Sequence, residues 1–158
     1  GETMLTAKDI MTKNVTTVKA ATTIEELALI LMEHKISGVP VVDDNENLIG
    51  IVTENDLISR DKRLHIPTVM RLFDAFIVLE SQSKIEKEIK RMTAITVNDI
   101  YTKDAITVAE GTPVQDIATI MSEKKVHLIP VVEGKNEKKI IGIIGKIDLI
   151  KGITGRAQ

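Results

Sequence analysis

The sequence predicts an α+β (α/β-like) fold made of two related β-α-β-β-α halves packed through their sheets, with a helical insert between them. Residues 9–42 (DIMTKNVTTVKAATTIEELALILMEHKISGVPVV) align without a gap with residues 99–132 (DIYTKDAITVAEGTPVQDIATIMSEKKVHLIPVV), an offset of about ninety positions, longer than the usual solenoid period. The match extends beyond apolar positions: Asp9/Asp99, Thr12/Thr102, Thr17/Thr107, Pro40/Pro130 and, after a two-residue slip, Gly50/Gly142 and Asp56/Asp148 recur as identical residues. Hydrophobic patterning alone would not demand this. Neither half can bury both faces of a small sheet by itself, so the copies are expected to cover one another as a pseudo-twofold body with two equivalent clefts.

In the first copy, residues 15–18 form a short β-branched run. Thr22-Thr-Ile-Glu-Glu then opens a helix with a capping hydroxyl and first-turn carboxylates, and Ile24, Leu27, Ala28, Leu31 and Met32 follow at helical spacing. Gly38-Val-Pro-Val-Val reads as a buried strand, Asp43-Asp-Asn-Glu-Asn as a turn, and residues 47–52 as the returning strand of a hairpin. Another helix begins at Asp56. The second copy repeats the order through residues 106–108, 113–124, 128–132, 139–144 and 147–153. The three parts are thus repeat 1 (residues 5–60), the insert (61–94) and repeat 2 (95–153). In the insert, Pro67 suits the first turn of a helix running to Leu79, and Ile85, Ile89 and Met92 mark a second amphipathic helix. The stripe Met70/Phe73/Phe76/Ile77 reads as core or as a homodimer face.

The bulk composition excludes several functions. A 43% apolar content over 158 residues supplies a core, while a net charge of −2, a pI near 6.0 and 2% aromatic residues give no footprint for nucleic acid. With no cysteine there is neither disulfide nor thiolate chemistry. No apolar stretch reaches bilayer length and the N-terminus lacks a basic start followed by an apolar region. The expectation is a cytoplasmic chain without membrane insertion. Catalysis would need a convergent nucleophile, base or metal set, yet the histidines (His34, His65, His127) are scattered and no HExxH, GxSxG or Walker-type loop is present. No enzyme, catalytic cofactor or metal site is expected.

Each copy joins a strand to a helix through a glycine-led turn: Gly50-Ile-Val-Thr53-Glu-Asn-Asp56 and Gly142-Ile-Ile-Gly145-Lys-Ile-Asp148. Together with the duplicated Pro-Val-Val strand, this resembles a pair of CBS domains, the tandem Bateman module, as in stand-alone CBS domain-containing proteins. The resemblance covers nearly all of the chain outside the insert. It implies a regulatory module whose G-h-h-[ST]-x-x-D turns bind an adenosine-containing ligand: AMP, ADP, ATP or S-adenosylmethionine. Asp56 and Asp148 would accept hydrogen bonds from both ribose hydroxyls, a role suited to an ionised carboxylate with two acceptor atoms.

The resemblance further implies clefts of mixed origin. Thr53, Asn55 and Asp56 would face Ile106, Val126, His127, Leu128 and Pro130; Gly145, Lys146 and Asp148 would face Thr16, Ile36, Ser37, Gly38 and Pro40. His127 stands where some nucleotide-binding relatives place a phosphate-contacting histidine. Gly145 departs from the pattern by lacking the hydroxyl, which would weaken the Asp148 cleft by about 1 kcal/mol, and Lys146 could compensate by reaching a phosphate. A homodimer is implied, as is an effector protein that the sequence does not identify.

Plainer readings stand beside these. Thr53-Glu-Asn-Asp56 is also a capping box, although Gly145 cannot cap through a side chain while Asp148 is still present. His127 could be a strand histidine at a contact between repeats, Ser37 and Gly38 could merely permit close backbone packing, and Arg60, Lys62, Arg63 and His65 form a solvated helix end. The alternative function is an architectural dimerisation module with vestigial pockets, a piece of a larger transporter, channel or enzyme.

Overall fold

The computed structural model describes residues 4–60 and 95–155. The insert helices expected over 67–79 and 85–92, their apolar stripe and the basic cluster at 62–65 lie outside the described residues.

The class is α+β, as expected. In order come α1 (Ala7–Ile10), β1 (Val18–Lys19), α2 (Ile24–His34), β2 (Gly38–Val42), β3 (Leu48–Thr53), β4 (Thr102–Lys103), β5 (Val108–Ala109), α3 (Val114–Lys124), β6 (Leu128–Glu133), β7 (Asn136–Gly145) and α4 (Lys146–Ile153). The strands form two sheets, ordered β1-β2-β3-β4 and β5-β6-β7. Thr23 caps α2 by accepting from the Glu26 amide at 3.1 Å. Both long helices stop on a lysine in the left-handed region, Lys35 at φ 53° and Lys125 at φ 54°.

Several elements differ from the sequence reading. The first strand of each copy is shorter and later than expected, starting at Val18 and Val108, because β5 contacts β6 only through Val108↔Val131 and Ala109↔Val132. Thr16 and Ile106 therefore precede the strands. The returning strand of the second copy is longer, beginning at Asn136, and register shifts flanking Val132 absorb the extra length. This places the two-residue slip between the copies in the hairpin. After Thr53 the chain enters a helical turn in which Asp56–Arg60 winds as a π-helix, whereas its counterpart α4 is a regular α-helix.

The chain divides into two compact units, and the division does not follow the repeat boundary. Among the described residues, one unit takes 4–17, 42–49 and 104–155, and the other takes 18–41, 50–60 and 95–103. The leader of each copy, residues 5–12 and 95–103, thus belongs with the body of the other. In the first unit the Ala7 and Lys8 amides donate to the carbonyls of Thr112 (2.8 Å) and Glu110 (2.9 Å), and the Val114 amide donates to Leu5 (3.0 Å). In the second unit the Val97 and Asn98 amides donate to Thr22 (2.8 Å) and Ala20 (2.9 Å), and the Ile24 amide to Ile95 (3.2 Å). Bond by bond, the two dockings are equivalent.

Each unit closes its own core. Ala7 and Ile10 of the leader pack with Val108, Val114, Ile117, Met121, Ile129, Val131 and Ile144. In the other unit Val18, Ile24, Leu27, Val39, Val41, Val52, Ile95, Val97 and Ile100 are buried. Roughly 1.5–3 kcal/mol per fully buried aliphatic side chain drives each docking. Among the described residues no buried side-chain polar atom lacks a partner, and no helix is long and apolar enough to cross a membrane.

Candidate functional site

The repeated glycine in each turn is explained by what crosses it. A Cβ at Gly50 would collide with the carbonyl oxygen of Thr102 and the ring of Tyr101, and one at Gly142 would collide with the Met11 side chain. In both places the end of a leader lies across the strand that precedes the aspartate. Ile51 pairs with Thr102, and Thr12 exchanges two backbone hydrogen bonds with Ile143, at 2.8 and 3.0 Å.

The same register explains Pro130. Ile143 points both its N–H and its C=O at Thr12, so Pro130, directly opposite Ile143, sits at a non-hydrogen-bonded position facing away from β7. It also lies beyond the end of β5, where a missing N–H costs nothing. Pro40, its counterpart, is buried in β2.

The capping reading of the first turn is realised. The Thr53 amide donates to Asp56 Oδ2 at 3.0 Å, the Thr53 hydroxyl lies 3.4 Å from the same oxygen, and the Asp56 amide donates to Thr53 Oγ1 at 3.4 Å. In the second turn only half of the box remains: the Gly145 amide donates to Asp148 Oδ2 at 2.9 Å. The other oxygen, Oδ1, accepts from the Thr12 hydroxyl at 3.3 Å.

Two further threonine–aspartate boxes begin the leaders, where the Thr6 amide donates to Asp9 (2.8 Å) and the Thr96 amide to Asp99 (2.9 Å). They provide an internal comparison, because those aspartates are exposed while Asp148 is partly buried and Asp56 is only 5% exposed. A carboxylate whose only task is to cap has no reason to leave water, and burying one is costly unless it is well partnered.

Several of the other sequence-derived residues lie beside the two turns. The Glu54 amide donates to the Ser37 carbonyl at 2.8 Å, which brings exposed Ser37, buried Gly38 and partly buried Ile36 beside the Thr53–Asp56 turn, with Asn55 exposed on it. In the other unit Leu128 pairs with Gly145, and a Cβ on Gly145 would have ordinary contacts with Leu128 Cδ1 (3.8 Å), Asp148 Oδ2 (3.9 Å) and the His127 carbonyl (4.0 Å). His127 and Lys146 are exposed; Thr16, Ile106, Val126 and Leu128 are partly buried. The sequence reading left Thr12 without a role, although its recurrence as Thr102 was the available signal.

Two hairpins that each finish on a glycine crossed by the other copy's leader, followed by a backbone-held aspartate, define a duplicated module rather than two independent domains. The chain belongs to the CBS domain family, which matches residues 7–63 and 97–155. It is 30% identical to the CBS domain-containing protein CBSX2, chloroplastic, of Arabidopsis thaliana over 152 residues, which cover 92% of this chain and 62% of that protein. It therefore spans under two thirds of that relative's length. The crystal structure of CBSX2 in complex with AMP superposes with a TM-score of 0.68 at 26% identity, covering 96% of this chain and 97% of that one. The CBS domain pair of protein MJ0100, in complex with 5′-methylthioadenosine and S-adenosyl-L-methionine, gives a TM-score of 0.68 at 27% identity, covering 98% and 99%.

Proposed function

We propose that this chain is a non-catalytic regulatory module that binds an adenosine-containing ligand, with Asp56 and Asp148 each accepting hydrogen bonds from the two ribose hydroxyls. The observation that carries the reading is the state of the carboxylates. Each has an oxygen held at 3.0 Å or less by the backbone amide three residues earlier, and Asp56 is buried and Asp148 partly buried while the equivalent caps at Asp9 and Asp99 are exposed. A carboxylate oriented in advance loses little freedom when it grips a diol.

In this reading Thr53 and Asn55 serve the Asp56 site, and Gly145, Lys146 and Thr16 serve the Asp148 site. Aliphatic walls and backbone amides hold the purine, and His127 or Lys146 meets a phosphate. The AMP complex of CBSX2 and the S-adenosylmethionine complex of the MJ0100 pair support an adenosine ligand. Such a ligand regulates an effector protein only through its difference in affinity between two states of the module. Calorimetry with AMP, ADP, ATP and S-adenosylmethionine tests the reading, and native mass spectrometry of protein purified without added nucleotide identifies the natural ligand. Absence of binding to every one of them at millimolar concentration refutes it.

A second reading, an architectural homodimerisation module, is favoured by unpartnered apolar side chains on both units. Ile147, Ile150 and Ile153 on α4 are 63%, 54% and 65% exposed, and Leu29 and Met32 project from α2. Their counterparts on α3 are Thr119 and Ser122. Dimerisation and ligand sensing are compatible, and the binding experiment separates sensing from scaffolding alone.

A further inference from the structure

We propose that Thr12 is a positioning residue of the Asp148 site, supplying from the other copy's leader the hydroxyl that Gly145 cannot. This rests on the reading of Asp148 as a ribose acceptor.

An ionised carboxylate offers about four lone-pair positions, two on each oxygen. At Asp148 the Gly145 amide engages Oδ2 at 2.9 Å and the Thr12 hydroxyl engages Oδ1 at 3.3 Å. One contact on each oxygen fixes the rotation of the carboxylate plane and leaves each oxygen a second position. A vicinal diol requires this arrangement, since it donates one O–H to each oxygen. With Gly145 alone, the plane could turn about the Oδ2 contact and present its oxygens unevenly.

Thr12 is itself firmly placed. Its N–H and C=O pair with Ile143, the neighbouring Met11 fills the space over Gly142, and Ile10 fills the space over Gly152. The hydroxyl therefore reports whether the leader at residues 5–12 is seated. Affinity at Asp148 and seating of that leader are linked, and the linkage is reciprocal: a ligand that needs the positioned carboxylate favours the seated leader.

The test isolates the Asp148 site in an Asp56→Asn chain, with Asp56→Ala as a second background should the first fold poorly. AMP and S-adenosylmethionine are titrated by calorimetry against Thr12, Thr12→Val and Thr12→Ser versions. The expected result is an affinity about fivefold weaker for Thr12→Val, the scale of one hydrogen bond, and recovery to within about twofold of the parent for Thr12→Ser. In the wild-type chain, saturating AMP slows hydrogen exchange of the Met11 and Thr12 amides. Undiminished affinity in Thr12→Val, failure of Thr12→Ser to recover, or unchanged exchange overturns the assignment. If the wild type binds but the Asp56-substituted chains do not, Asp148 takes no ligand and this assignment falls while the regulatory reading stands. If the wild type binds neither probe, both fall.

Discussion

The carbonyl oxygen of Thr102 occupies the space where a side chain on Gly50 would have to begin. At the equivalent point of the second copy, the obstacle to a side chain on Gly142 is the Met11 side chain, from Cβ through Sδ. The two glycines are identical in sequence and differ in what restrains them.

That difference predicts unequal costs for the same substitution. Gly50→Ala must displace backbone and is expected to destabilise by about 2–3 kcal/mol, in the range of overpacking penalties. Gly142→Ala asks a flexible methionine to change rotamer and its Cβ to give by a few tenths of an ångström, and should cost less, about 1–2 kcal/mol. Urea denaturation of both variants gives the comparison; equal losses would contradict the difference between the two crossings.

Removing either aspartate should cost binding out of proportion to fold. Asp56→Ala and Asp148→Ala are each expected to weaken AMP binding at their own cleft by about ten- to hundredfold, the effect of losing hydrogen bonds to a charged acceptor. A 2′-deoxy ligand should lose much of the same increment against the wild type and little against the variants. Calorimetric titration with the paired ligands checks this, and equal affinity for ribose and deoxyribose forms would exclude the carboxylate–diol contact.

Gly145 has room for the missing residue. Its φ of −105° suits any amino acid, and a Cβ there would meet nothing closer than 3.8 Å. Gly145→Thr is expected to raise stability by about 0.5–1 kcal/mol through a restored cap and a less flexible unfolded chain, and to tighten binding at Asp148 several-fold. Thermal melts and titration in parallel report the two effects, and a destabilised variant would show that the second turn cannot accept the first turn's chemistry.

If a second copy of the chain covers α4, charging that face will break the assembly. Ile150→Glu combined with Ile153→Glu is expected to convert a dimer to a monomer in sedimentation velocity. Unfolding free energy measured below the dissociation concentration should change by less than about 0.5 kcal/mol, as for surface substitutions generally. A wild type that already sediments as a monomer would remove this role from the helix.

Much of the module was legible because its signals are local. Helical spacing from Ile24 to Met32, the hairpin residues Asp43–Asn47 and the Thr53–Asp56 box each act within a few positions, and the structure contains the corresponding elements. The winding at Asp56–Arg60 was not legible, because a single turn is too short for apolar spacing to separate a π-helix from an α-helix. Nor was the strand Thr102–Lys103, whose exposed residues carry no alternating pattern.

The duplication, the paired aspartates and the missing hydroxyl at Gly145 are determined by the sequence alone, because each is a property of residue identity and spacing. Which leader docks on which body is not. Residues 5–12 and 95–103 attach through backbone amides and carbonyls that every residue carries and through buried apolar side chains of similar kind, and the two copies offer equivalent partners for them. Only the folded chain selects the exchanged arrangement, and with it the placement of Thr12 against Asp148 and of Thr102 across Gly50.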